Sequence, residues 1–150
     1  MVSRRQRDLY ATHIRELIAE HGWAVQGVLH TATKPPFSYT VGLTEAGLPE
    51  LIIVGLSHEI GVAILNMLAK QSLSEDLGVG RRYDLANGDQ VLTCLIGSVS
   101  RANSRDYLRI AGHHYGPHRV KALQVFWPCE RGQFPVDGGW DLGEVQPVLA

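Results

Sequence analysis

The densest group of residues able to do chemistry is GHHYGPH, residues 112–118, which places His113, His114 and His118 around Tyr115. Neutral imidazole nitrogens are good ligands for zinc and other divalent transition metals, and a catalytic metal centre takes three protein ligands and leaves one position open. One of these histidines can instead serve as a general base, with His114, Tyr115 and His118 the candidate catalytic residues. His114 and His118 stand four apart, the spacing that puts both on one helical face, but Gly116 and Pro117 lie between them and interrupt a helix. Convergence of the three therefore rests on a loop. His30 and His58 are candidate distant partners for such a site, and the plain alternative is a set of solvated or hydrogen-bonded loop histidines.

A second constellation begins at Ser57-His58, where an apolar run gives way to helical spacing. Ser57 is placed to cap that helix, whose free amides and dipole favour an anion. Arg81, Arg82, Arg119 and Lys121 can add cationic donors if the sheet brings them alongside, a set suited to flavin or another phosphorylated ligand. Every helix has such a start, so a capped helix with no ligand is the bland alternative. Cys94 falls inside the apolar run 91–96 and reads as a small buried hydrophobe. Cys129 follows a proline, with no neighbouring histidine or helix start to activate a thiolate. Rings such as Trp23, Tyr39, Tyr83 and Trp127 can line a pocket, but at strand and helix spacing they read as packing. The chain has no G-x-S-x-G, P-loop, H-E-x-x-H or dinucleotide fingerprint, so no reaction class is singled out.

With 14 Lys and Arg against 15 Asp and Glu, the whole chain carries no field that would attract nucleic acid, anionic lipid or an acidic substrate. Arg4, Arg5 and Arg7 read as the polar start of a helix, and nucleic acid is not an expected partner. Two cysteines without a C-x-x-C motif point to a reducing compartment. The first seventeen residues have charges throughout and no continuous apolar core, which is neither a signal peptide nor a membrane span, so a cytoplasmic protein is expected. At 150 residues the chain has the length of one domain, enough to bury roughly 70% of the surface its unfolded form exposes.

The elements that must position these groups follow from periodicity. Leu9, Ile14, Leu17 and Ile18, with Tyr10, form one side of a helix over 4–20 that Gly22 ends. A strand spans Trp23 to Leu29. Phe37, Tyr39, Val41 and Leu43 alternate with small residues, a strand with one buried face, and 44–49 supplies turn chemistry. Leu51 to Val54 is apolar on both faces and reads as a central strand, followed by a helix to about Gln71 that buries Ile60, Ala63, Ile64, Met67 and Leu68. Asn87-Gly88 between Arg81–Leu85 and Gln90–Ser98 predicts a hairpin with a two-residue type I′ turn. Ser104 is placed to cap a short helix through Ile110 that Gly112 ends. Lys121 to Trp127 is a last strand, and the Gly- and Pro-rich tail from Cys129 is expected to wrap the surface.

Several phrases in order, HGW at 21–23, FSYTVGL at 37–43, LPELIIVGL at 48–56, ILNMLA at 64–69 and ALQVFWP with FPVD at 122–137, resemble a bacterial domain-of-unknown-function family, number 4262. The resemblance spans nearly the whole chain and implies no activity, cofactor or catalytic residue. Cys129 stands where the family pattern suggests an acidic residue, and Val136 where it suggests an aromatic.

Together these readings predict an α+β fold, an antiparallel or mixed sheet of about six strands with two main helices packed on it. A partly closed barrel is the variant, since the element order is similar to that of split-barrel flavin-binding proteins, which commonly bury ligands between two subunits. The functional expectation is a small-molecule or protein binding module. The alternatives are a metal- or histidine-dependent enzyme at His113, His114 and His118, and a flavin or phosphorylated-ligand binder using Ser57, His58, Arg81 and Arg82, possible as a homodimer.

Overall fold

Ser3 and Gln6 form a capping box, each side chain accepting from the other's backbone amide, and from it starts helix α1 (Arg4–His21) of the computed structural model, which describes residues 3–150. Gly22 ends the helix at φ +93°, a left-handed value that residues with a side chain rarely adopt. There follow β1 (Ala24–Val28), β2 (Phe37–Val41), a 3-10 turn (Leu43–Ala46), β3 (Glu50–Val54) and the second long helix, α2 (His58–Ser72). The hairpin β4 (Arg82–Asn87) and β5 (Gln90–Ser98), two short helices α3 (Arg101–Tyr107) and α4 (Arg109–Tyr115), and β6 (Ala122–Phe126) complete the order. The six strands lie in one sheet, β1-β2-β3-β6-β5-β4, with β3 and β6 parallel and every other pair antiparallel. The architecture is α+β with a mixed sheet. It is open, not a barrel: β1 and β4 end at opposite edges, because β6 is inserted beside β3 in the middle.

Alternation along the strands divides the core in two. Phe37, Tyr39, Val41, Ile52 and Val54 face α1, α3 and α4, and meet Ile14, Ile18, Tyr107, Leu108 and Ala111. Leu51, Ile53, Cys94, Ile96 and Val125 face the other way, onto Ile64, Leu65, Leu68 and Ala69 of α2. β3 is central and buried throughout, as its unbroken apolar run requires. β2 is also buried on both faces, not one, because α2 covers Ser38 and Thr40.

Several local readings shift by a turn or a residue. On α2 the buried stripe is Gly61, Ile64, Leu65, Leu68, Ala69 and Ser72, while Ile60 is 53% exposed and Ala63 faces solvent. The cause is Gly61: a Cβ there would lie 3.2 Å from Ser38 Oγ and 3.3 Å from Ile53 Cγ2, so the bare backbone is the point of closest approach and rotates the helix about it. On α1 Ile14 and Ile18 are buried, but Leu9 is 62% exposed. The β4-β5 hairpin pairs Asn87 with Gln90, so its two loop residues are Gly88 and Asp89, and only Gly88 has positive φ, the pattern of a type II′ turn rather than I′. Ser100, not Ser104, caps the helix that follows, accepting from Asn103 N at 3.2 Å, and Gly112 sits inside α4, which runs to Tyr115 before Gly116 ends it.

The tail does more than wrap the surface. Gln146 Oε1 accepts from Trp127 N and its Nε2 donates to Trp127 O, while Gln124 Nε2 donates to Pro147 O and Leu149 N donates to Gln124 Oε1. Both glutamines are at most 1% exposed, and Phe134 and Leu149 are buried with them. Each buried amide is thus satisfied by backbone, which fixes the tail across the end of β6.

Candidate functional site

β3 begins with Glu50, a charged residue at 0% exposure. Its Oε1 accepts from Thr40 Oγ1 at 2.8 Å and Leu43 N at 3.1 Å, and its Oε2 accepts from Gly42 N at 3.2 Å, Thr44 N at 2.8 Å and Thr44 Oγ1 at 2.5 Å. Gly42, at φ +134°, turns these three consecutive amides inward; a Cβ there would meet Gly22 O and Trp23 Cα at 2.8 Å. Burial pushes the Glu50 carboxyl pKa up, and the hydrogen bonds from Thr44, Thr40 and Gly42 offset part of that cost. With every oxygen engaged and no access to solvent, this carboxylate ties the β2–β3 connection to the sheet and does not meet a ligand. Nearby, the Tyr115 hydroxyl is buried, and burial raises its pKa, with the Glu45 and Glu50 charges acting in the same direction.

The residue before Glu50, Pro49, lies at the rim of a cleft of about 360 Å³ at the end of the sheet where β3 and β6 start and β5 stops. One wall is α3, which brings Arg101 and Arg105, four residues apart and so on one helical face. The 117–121 segment also lines it, carrying His118 and Lys121. Gly116, at φ +88°, ends α4 and lets the chain double back, with Arg119 N donating to Gly116 O. Val99, Val120, Ala122 and Leu123 supply an apolar floor, and Ser98 and Ser104 also line the cleft, with the Ser104 hydroxyl donating to Val120 O at 3.5 Å. No carboxylate lines the cleft, and among the described residues Arg101, Arg105 and Lys121 form no ion pair. The cleft therefore concentrates positive charge over a hydrophobic base.

Two other hollows differ in character. One of about 400 Å³ beside β1 is mostly apolar, lined by Val25, Val28, Leu29 and Phe37. There His58 Nδ1 lies 3.4 Å from Ser38 Oγ, and the imidazole fills the space above Gly27, where a Cβ would be 2.2 Å from Nδ1. Ser38 is only 2% exposed, so this pair is the packing of a helix-start side chain onto a bare strand position. The other hollow holds His30, Lys34 and Tyr107, and Lys34 is already bound to Asp106 at 2.9 Å and stacked on Tyr107.

The histidines are thereby dispersed. His113 and His114 end α4, with His114 packed edge-on against Tyr115 at 4.7 Å between ring centres; His118 lies beyond Gly116, and His30 and His58 belong to the other two hollows. Among the described residues no three His, Cys, Asp or Glu side chains come together as a group that could hold a metal ion. Ser57 caps α2, accepting from Ile60 N at 3.4 Å. Arg82 belongs to β4, three strand spacings from β3 or roughly 14 Å across the sheet, with its guanidinium 5.1 Å from the centre of the Phe134 ring; Arg81 packs its methylenes on Gly78. Among the described residues no hydrogen bond or ion pair links Ser57 or His58 to Arg81 or Arg82. Of the cations named from sequence, Lys121 alone lines the cleft, and it does so beside α3 rather than the Ser57 helix. Arg101 and Arg105 carried no motif, and a helix read as capped at Ser104 left Arg101 outside it, whereas the Ser100 cap puts both on α3. Both cysteines are buried, and burial pushes the Cys94 thiol up to about 12.

No helix among the described residues is long and apolar enough to cross a membrane. No curated protein and no solved structure matches the chain. A family model does, over residues 17–141, and its description is a domain of unknown function. That match covers most of the sequence, including both core faces and the whole cationic cleft, and the chain belongs to this family, DUF4262.

Proposed function

We propose that the protein is a small-molecule binding module whose site is the cleft between α3 and the start of β6, and that its ligand is a small organic anion. One observation carries this reading: a concave site with apolar lining brings together Arg101, Arg105 and Lys121, with His118 beside them and no carboxylate among the lining residues. Like charges gathered in a cleft repel one another, and an anion relieves that repulsion while accepting the guanidinium and ammonium donors. A volume of about 360 Å³ lies at the small end of ligand sites, which run from about 300 to 1,000 Å³. The floor supplies affinity through apolar burial and the cations fix orientation. No group in the cleft pairs as nucleophile and base, so the reading is binding without chemistry.

The test is calorimetric titration of the wild-type protein and an Arg101→Gln, Arg105→Gln double variant with a panel of small anions at low salt. The reading expects at least one anion to bind wild type and to lose about tenfold or more in affinity in the double variant, with weakening as salt rises. Anions that bind both proteins equally, or none at all, overturn it.

A further inference from the structure

We infer that the anion in this cleft carries a phosphomonoester group on a small apolar body, an inference that rests on the anion-binding reading above. The first argument is charge. Arg101, Arg105 and Lys121 supply three fixed positive charges, and no lining residue is acidic. A monocarboxylate leaves two of them unneutralised, whereas a phosphomonoester, at close to two negative charges at neutral pH, leaves about one.

The second argument is shape. Arg101 and Arg105 stand one helical turn apart on α3, about 6 Å between Cβ atoms, so both guanidinium forks can reach a single group rather than two separate ones. A tetrahedral group with three acceptor oxygens takes two forks and a third donor, and Lys121, which also lines the cleft, supplies it as a point charge. A planar carboxylate is satisfied by one fork and leaves the second guanidinium without a partner. The third argument is the floor: Val99, Val120, Ala122 and Leu123 offer an apolar surface beside the cations, which inorganic phosphate would leave bare.

The probes are phenyl phosphate, phenyl sulfate, benzoate and succinate, titrated calorimetrically at pH 7.5 and again at pH 5. Phenyl sulfate has nearly the shape of phenyl phosphate but one negative charge at both pH values, so the ratio of the two affinities isolates the effect of the second charge. Phenyl phosphate is expected to bind about tenfold or more tighter than phenyl sulfate at pH 7.5, the effect of one extra charge a few ångströms from the guanidiniums in a wet cleft. At pH 5, where the phosphate is largely a monoanion, the ratio is expected to fall toward one. Phenyl phosphate affinity should also fall about tenfold in Lys121→Gln, an exposed position whose change leaves the fold intact. Equal affinity for phosphate and sulfate, or succinate binding tightest, overturns the phosphomonoester assignment and leaves the anion-binding reading standing. Failure of all four probes to bind overturns both.

Discussion

Replacing Glu50 by Gln is the sharpest perturbation of the fold that positions the cleft. The substitution keeps size and shape but exchanges one carboxylate oxygen for an NH2 group inside a cradle of donors. If the remaining oxygen stays with Gly42 N, Thr44 N and Thr44 Oγ1, the new NH2 faces Leu43 N and the Thr40 hydroxyl, which already accepts from Leu51 N. Leu43 N is left without an acceptor in a site with no water access, at about 1–3 kcal/mol, and the surviving hydrogen bonds lose their charge assistance. The expected loss is about 2–4 kcal/mol, which for a chain of this length lowers the melting temperature by roughly 5–15 °C. Urea unfolding followed by far-UV circular dichroism gives the free energy, with the denaturant slope unchanged. The pH dependence has a definite sign. Burial raises the folded pKa of Glu50 above its unfolded value of 4.5, so the folded state holds the proton longer. The contribution of this group is full below the unfolded value and declines as pH rises through the folded one. The Gln variant lacks this term, so the gap between the two proteins narrows with rising pH. A loss under about 1 kcal/mol would refute the view that this carboxylate holds the β2–β3 connection.

Other consequences follow from particular contacts. Gly55→Ala should cost about 2 kcal/mol or more and loosen the tail, because φ is +94° and the new Cβ would lie 2.4 Å from the backbone oxygen of Val145; limited proteolysis near residue 145 checks it. Gly27→Ala should cost under about 1 kcal/mol, since its Cβ displaces only the exposed His58 ring, and the imidazole resonances of His58 should shift as its contact with Ser38 is lost. Cys94 and Cys129, both buried, should resist alkylation in the folded protein and react fully in denaturant, as measured by intact mass.

What the sequence discloses here is whatever acts over a few residues. The Gly22 helix stop, the hairpin at Gly88 and the doubly buried run 51–54 are each set by local periodicity or turn chemistry, and each stands in the structure. The face of α2 is different, because a bare position at Gly61 allows a closer approach than the apolar stripe centred on Ile60 and Ile64 would suggest. Glu50 looks like a solvated residue ahead of a strand, and nothing local shows that Gly42, Leu43 and Thr44 turn their amides toward it. Gln124 and Gln146 are hidden in the same way, as their partners lie 19 or more residues away. The cleft gathers Pro49, Ser98 to Arg105 and Pro117 to Leu123, three segments that meet only because β6 inserts between β3 and β5. Histidine density drew attention to 112–118, and of that cluster only His118 reaches the cleft.

Whether the cationic cleft beside α3 receives an anion is decided by amide-detected NMR of the isotopically labelled protein titrated with phenyl phosphate. Saturable shifts are expected, concentrated at residues 98–105 and 117–123 and absent in the Arg101→Gln, Arg105→Gln variant. Shifts centred instead on the Ser57 helix start or on His113 and His114, or none up to millimolar probe, would contradict this expectation.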